Sequence, residues 1–99
     1  MTTNQQQILA ALAERKSDIA ARFGVRRLAL FGSAARDELT VGSDVDVLVE
    51  FEGPATYDGY FALKDYLQAL LSRPVDLVTE RGLKPRARRH VERDLVRVA

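Results

Sequence analysis

The 99-residue chain contains no cysteine, so it forms no disulfide and uses no cysteine-based catalysis. No apolar run approaches the length needed to cross a membrane, and we expect no membrane partner. The N-terminal stretch MTTNQQQ lacks the basic and apolar regions of a secretory signal. These absences favour a cytoplasmic protein with one domain over residues 1–99.

The net charge of +1 hides an uneven distribution. Residues 1–80 contain 8 basic and 12 acidic side chains, which gives −4, whereas residues 81–99 contain 7 basic and 2 acidic ones, which gives +5. A basic segment of this kind is typical of surfaces that bind a nucleoside triphosphate, nucleic acid or an acidic partner. Charge alone does not separate these three.

Two aspartates one residue apart, Asp44 and Asp46, are the most informative feature that is present. Residues 44–51 alternate with a period of two, which predicts a strand with both aspartates on one face and their Cα atoms roughly 6.5–7 Å apart. Like-charged carboxylates this close repel each other, and a divalent cation removes that cost. Oxygen-only ligands favour Mg²⁺ or Mn²⁺ over zinc. Two aspartates alone on a strand are most often an exposed polar face, so the pair indicates a magnesium or manganese site only together with the motifs described next.

A Gly-Ser pair lies eleven residues before the first of these aspartates. The sequence predicts a strand over 26–31 that ends at Gly32 and a short helix over 33–39 that opens at Ser33. A strand–Gly–Ser–helix order presents free backbone N–H groups and a helix N-terminus to an anion. Gly32 lets a phosphate approach the backbone, and the Ser33 hydroxyl can donate a further hydrogen bond.

Two further residues are candidate phosphate ligands with an alternative explanation each. Arg36 lies one helical turn after the Gly-Ser pair and could neutralise a phosphate, but a surface ion pair with Asp37 or Glu38 explains it equally well. Ser43 could bind phosphate, but a turn or cap before Asp44 is as plausible.

A third carboxylate, Asp76, lies on a strand predicted over 75–79, where by itself it could also simply end the strand or pair with an arginine. If that strand is a neighbour of the 44–51 strand in one sheet, Asp76 shares the face of Asp44 and Asp46. Three carboxylates beside phosphate-binding N–H groups are what two-metal phosphoryl transfer requires.

The remaining pattern predicts helices over 4–22, 57–71 and 85–94 and a short edge strand over 95–98. Gly24 is a plausible stop for the first helix. The order alternates helix and strand, but the link between the first two strands is too short for a purely parallel sheet.

These motifs closely resemble the signature of the DNA polymerase β nucleotidyltransferase superfamily, in particular its minimal, MntA-like branch, which is often encoded beside HEPN-domain proteins. The matching residues are Gly32-Ser33, Arg36, Ser43-Asp44-Val45-Asp46 and Val75-Asp76-Leu77-Val78. Together with the predicted elements, the resemblance implies an α/β (α+β) fold with a small mixed β-sheet covered by helices. In this family a glycine usually follows the motif arginine, whereas this chain has Asp37, and an added negative charge there could weaken nucleotide binding.

The predicted site implies a chemistry of positioning and charge neutralisation. Asp44 and Asp46 would hold Mg²⁺ against the triphosphate of ATP, and Gly32 and Ser33 would hold its β- and γ-phosphates. Asp76 would be a ligand of the metal that binds the acceptor hydroxyl, lowering the pKa of that hydroxyl, and could accept its proton. The resemblance implies transfer of AMP to a tyrosine of a HEPN-type toxin, which would make the protein an antitoxin.

Two other classes stay open at this stage. The chain could be an antitoxin that inhibits only by covering its partner. Direct nucleic-acid binding depends on the basic C-terminal segment alone and is the weakest hypothesis. The sequence leaves the oligomeric state, homo- or hetero-oligomer, undecided.

Overall fold

The structure is a computed structural model that describes residues 4–40 and 42–98, so residues 1–3, 41 and 99 of the predicted domain lie outside it. None of the described helices is both long enough and apolar enough to span a bilayer. In chain order the described elements are α1 Gln5–Glu14, α2 Lys16–Phe23, β1 Val25–Phe31, α3 Gly32–Ala35, β2 Val45–Phe51, α4 Tyr57–Leu71, β3 Val75–Thr79, a 3-10 turn Glu80–Gly82, α5 Pro85–Arg93 and β4 Val96–Arg97.

The strands form one mixed sheet in the order β3-β2-β1-β4. Strand β1 pairs antiparallel with β2 and with β4, whereas β2 and β3 are parallel. The predicted mixed sheet is confirmed, and the predicted final strand is present in a shorter form. The parallel pair places corresponding residues of β2 and β3 side by side, and this sets the geometry of the site.

The core lies between one face of the sheet and the helices. Alternate residues of β2, namely Val45, Val47 and Val49, are fully buried, as are residues of α1 and α4 such as Leu12 and Leu67. Because successive side chains of a strand point to opposite faces, this register directs Asp46 away from the core.

The prediction of a single helix over 4–22 is wrong, because the chain forms two helices that meet at Arg15. The two halves have different neighbours: α1 packs against α4, whereas α2 packs against both β1 and α4. The predicted stop at Gly24 is confirmed, since this glycine caps α2 with φ +63°.

The predicted helix over 33–39 is also wrong in its extent, because α3 ends at Ala35. Asp37 adopts φ +57°, in the left-handed region that terminates a helix and that aspartate tolerates better than most residues. Its Oδ1 accepts a hydrogen bond of 3.0 Å from the backbone N–H of Gln5, at the start of α1. The first N–H groups of a helix lack intrahelical acceptors and favour a negative charge, so Asp37 has a structural role there.

Candidate functional site

Asp46 and Asp76 are direct neighbours across the parallel strands β2 and β3. The side chain of Asp46 is half-buried and that of Asp76 is exposed. Asp44 lies just before β2 and is also exposed. The structure therefore places the three aspartates that the sequence singles out at one end of the sheet.

The electrostatics of Asp46 reflect this proximity. Burial raises the pKa of Asp46 above its ordinary value, and the carboxylates of Asp76 and Asp44 raise this pKa further. Arg36 opposes the shift without cancelling it. The end of the sheet thus holds a surplus of negative charge that a cation would relieve.

Over residues 4–40 and 42–98, no group of three or more His, Cys, Asp or Glu side chains is gathered as the ligands of a metal ion are. The predicted convergence of three carboxylates is therefore absent as a formed cage. Asp44, Asp46 and Asp76 remain the candidate ligands, since oxygen donors suit Mg²⁺ or Mn²⁺.

Gly32 begins α3 with φ +63°, a conformation that favours glycine. A Cβ added there would overlap Oδ2 of Asp46 and lie 3.2 Å from its Cγ, so the turn lies directly against this carboxylate. Phe31, the residue before the helix, makes no side-chain cap hydrogen bond. The Gly32-Ser33 turn and the aspartates consequently form one continuous site.

Arg36 is held by two carboxylates. Its Nε donates to Glu38 at 2.5 Å and its Nη1 donates to Asp94 at 3.0 Å. These hydrogen bonds raise the pKa of Arg36. Of the two explanations offered by the sequence, the surface ion pair is present, with Glu38 as its partner rather than Asp37.

Ser43 stabilises the turn that precedes β2. Its hydroxyl oxygen accepts a hydrogen bond of 3.0 Å from the backbone N–H of Thr40 and lies 2.8 Å from the Thr40 hydroxyl. This observation favours the turn interpretation of Ser43 over phosphate binding.

Two residues next to the site, Asp94 and Tyr60, are not among the site residues predicted from the sequence. Asp94 reaches Arg36 from a position 58 residues away, and no local pattern signals such a contact. The hydroxyl of Tyr60 donates to the backbone C=O of Leu77 on β3, and burial, with a smaller contribution from Asp76, raises the pKa of Tyr60. The place of Tyr60 near the start of α4 was the only available signal.

The nucleotidyltransferase domain family matches residues 9–98 of this chain. A relative from Thermococcus cleftensis named protein adenylyltransferase MntA is 40% identical over 93 residues, which is 94% of each chain. A solved structure described as a minimal nucleotidyltransferase is 42% identical, with a TM-score of 0.74 over 89% of this chain and 93% of that one.

A more distant structure shares the fold. It is a complex of the AMPylated Shewanella oneidensis HEPN toxin with its MNT antitoxin, and the matched chain is 20% identical with a TM-score of 0.70. The match covers 96% of this chain and 71% of that chain. With the motifs on one sheet end, a family match over nearly the whole chain and close relatives of the same length, the chain belongs to the nucleotidyltransferase family, as one of its minimal members.

Proposed function

We propose that the protein transfers AMP from ATP to a hydroxyl side chain of a partner protein, in the presence of Mg²⁺ or Mn²⁺. The observation that supports this most directly is the pairing of Asp46 with Asp76 beside the Gly32 turn. Carboxylates next to an anion-binding turn suit a reaction in which a triphosphate must be held and its charge neutralised.

The relatives support the choice of substrate and partner. A relative that is 40% identical is named a protein adenylyltransferase, and the fold is shared with an MNT antitoxin in complex with an AMPylated HEPN toxin. We therefore propose a HEPN-type toxin as the partner, a tyrosine as the modified residue, and the role of an antitoxin for this chain.

Each part of the site has a proposed task. The backbone of Gly32 and the hydroxyl of Ser33 hold the β- and γ-phosphates, while Asp44 and Asp46 supply the oxygen ligands for the cation. When bound, Mg²⁺ or Mn²⁺ would neutralise phosphate charge and lower the pKa of the acceptor hydroxyl. Asp76 is exposed beside Asp46 and accepts the proton of that hydroxyl.

The chemical step is an in-line displacement. The acceptor oxygen forms a bond to the α-phosphorus of ATP, and the bond from that phosphorus to the α,β-bridging oxygen breaks. Pyrophosphate leaves with the electron pair, and AMP stays on the partner. The proton goes to Asp76, which has open access to solvent and to a docked protein.

The alternative is an antitoxin that acts only by covering its partner. The sequence kept this alternative open because Asp37 could repel a nucleotide. In the structure the Asp37 carboxylate accepts a hydrogen bond from the Gln5 N–H at the start of α1, so its charge is directed to a helix terminus. That contact favours the enzymatic proposal over the steric one.

The test is incubation of the protein with ATP, Mg²⁺ and its natural partner, followed by mass spectrometry of the partner. We expect one or more added adenylyl groups on the hydroxyl of a tyrosine side chain. Asp76→Asn should abolish transfer while ATP binding, measured by calorimetry, stays within about threefold of wild type, because Asp76 serves the acceptor. If wild type and Asp76→Asn inhibit the partner equally and neither adds mass, the steric alternative is correct.

A further inference from the structure

A cavity of about 460 Å³ lies beside the Gly32 turn. This volume lies within the range of small-molecule sites in proteins. The lining combines apolar and charged residues: Phe31 at the end of β1, Gly32 at the start of α3, Val91 and Arg93 from α5, and Arg36 and Asp94. A nucleotide likewise combines an apolar base with an anionic phosphate tail.

The cavity is continuous with the aspartates. Gly32 belongs to its lining and also lies against the carboxylate of Asp46. Phe31, also in the lining, is the register neighbour of Asp46 across β1 and β2. A triphosphate with its α-phosphorus at Asp46 and its tail beside Gly32 would reach this cavity with its terminal phosphates.

Arg36, the arginine of the family motif, is not free to bind these phosphates. Arg36 already donates to Glu38 and Asp94, and both carboxylates compete with a phosphate for its guanidinium. Displacing two charge-assisted hydrogen bonds removes much of the gain from a new one.

Arg93, the last residue of α5, is the second guanidinium in the lining. It is exposed, and within residues 4–40 and 42–98 it forms no ion pair. A planar guanidinium offers two parallel donors to a phosphate. Arg93 thus shares the position and the charge of Arg36, and its donors are free, whereas those of Arg36 bind Glu38 and Asp94.

We propose that Arg93 binds the terminal phosphates of the nucleoside triphosphate, in the cavity between the Gly32 turn and α5. This inference rests on the proposed function, because it places the α-phosphorus at Asp46. It assigns part of the basic C-terminal segment to nucleotide binding rather than to nucleic acid.

The experiment compares Arg93→Gln with Arg89→Gln. Arg89 is exposed on the same helix but does not line the cavity, so both variants lose one positive charge from α5 and only one loses it at the proposed site. Calorimetry with Mg²⁺ measures the binding of a non-hydrolysable ATP analogue and of AMP to each variant. Circular dichroism and thermal melting establish that each variant is folded.

We expect Arg93→Gln to lower the affinity for the ATP analogue by about tenfold or more, the usual worth of a charge-assisted hydrogen bond. Affinity for AMP should stay within about twofold, because AMP lacks the terminal phosphates. Arg89→Gln should match wild type with both ligands, and Arg93→Lys should recover part of the affinity.

Three results would overturn the inference while the proposed function stands. They are an unchanged affinity of Arg93→Gln for the ATP analogue, an equal loss in Arg89→Gln, and an equal loss for AMP and the ATP analogue. Failure of the wild type itself to bind the ATP analogue would overturn the proposed function and this inference with it.

Discussion

The two faces of β2 have different roles, although their side chains alternate along the same seven residues. On one face Val45, Val47 and Val49 are fully buried and belong to the core cluster. On the other face Asp46 is half-buried, and its pKa is raised by burial and by two neighbouring carboxylates. The first face stabilises the fold, whereas the second holds a charge arrangement that costs stability.

This difference shows how a small domain separates stability from chemistry. Because side chains of a strand alternate, a substitution on one face leaves the packing of the other face largely unchanged. The cost of crowding carboxylates is offset by the buried valines one residue away. The substitutions that follow test whether the stability of the fold and the activity of the site can be changed separately.

The largest effect is expected from Asp46→Asn. The substitution removes a negative charge from the proposed cation site, and AMP transfer to the partner should fall by at least about 10³-fold, the scale of losses when a key electrostatic group is removed. The assay is the rate of adenylyl incorporation into the partner by mass spectrometry. The control is Glu50→Gln, on the same strand and outward face, where the carboxylate pairs with Arg27 rather than facing the aspartates. A comparable loss in the control would mean that general surface charge, not this site, governs transfer.

The second largest effect, also a loss of transfer activity, is expected from Gly32→Ala. A Cβ at this position both strains a backbone with φ +63° and overlaps the Asp46 carboxylate. We expect transfer to fall by about 10²-fold, because displacement of reacting groups by about 1 Å costs that much. Gly24→Ala is the matched control, since Gly24 also has φ +63° but an added Cβ meets nothing within 4 Å.

Both glycine variants should lose about 1–2 kcal/mol of stability from the left-handed backbone, measured by urea unfolding. Only Gly32→Ala should lose activity per folded molecule. Equal activity in the two variants would show that the Gly32 turn does not touch the reacting groups.

The position of the aspartates could be predicted because it depends on local rules. A period of two places Asp44 and Asp46 on one face, and a parallel neighbour brings Asp76 to the same end. The mixed sheet followed from a link too short for a parallel crossover. The strands themselves need only the order and spacing of residues, whereas the mixed sheet also depended on the family resemblance. The pairing of the Asp76 strand with β2 was a condition of the prediction, which the structure meets.

The rest depends on contacts that the order of residues does not show. No glycine or proline marks the break at Arg15, which follows from the different neighbours of α1 and α2. Asp37, in the left-handed conformation just after α3, accepts a hydrogen bond from Gln5, 32 residues away. Arg36 is held by Asp94, a contact over 58 residues. In each case tertiary contacts override the local pattern.

A smaller effect, on stability alone, is expected from Val47→Ala on the buried face of β2. Val47 is fully buried in the core cluster, so the loss of two methyl groups and the cavity left behind should cost about 2 kcal/mol. For a domain of this size the melting temperature should fall by roughly 10 °C. The transfer rate of the folded fraction at low temperature should stay close to wild type. A strong loss of activity in fully folded Val47→Ala would mean that the two faces are not separable.

The smallest effect is a gain in stability from Asp46→Asn in the absence of divalent cations. The pKa of Asp46 is raised in the folded protein, so the native state is favoured while this group is protonated and loses stability as the pH rises through the raised pKa. Above that pH, Asp46→Asn should melt a few degrees higher than wild type, since it removes a charge that burial, Asp76 and Asp44 all disfavour. The difference in melting temperature between variant and wild type should shrink as the pH is lowered through that pKa.

Added Mg²⁺ should raise the melting temperature of wild type more than that of the variant, because a ligand that binds only the native state stabilises it. Thermal melts from pH 4 to 8, with and without Mg²⁺, measure both effects. If the variant is less stable than wild type across this range, the Asp46 carboxylate stabilises the fold instead of destabilising it.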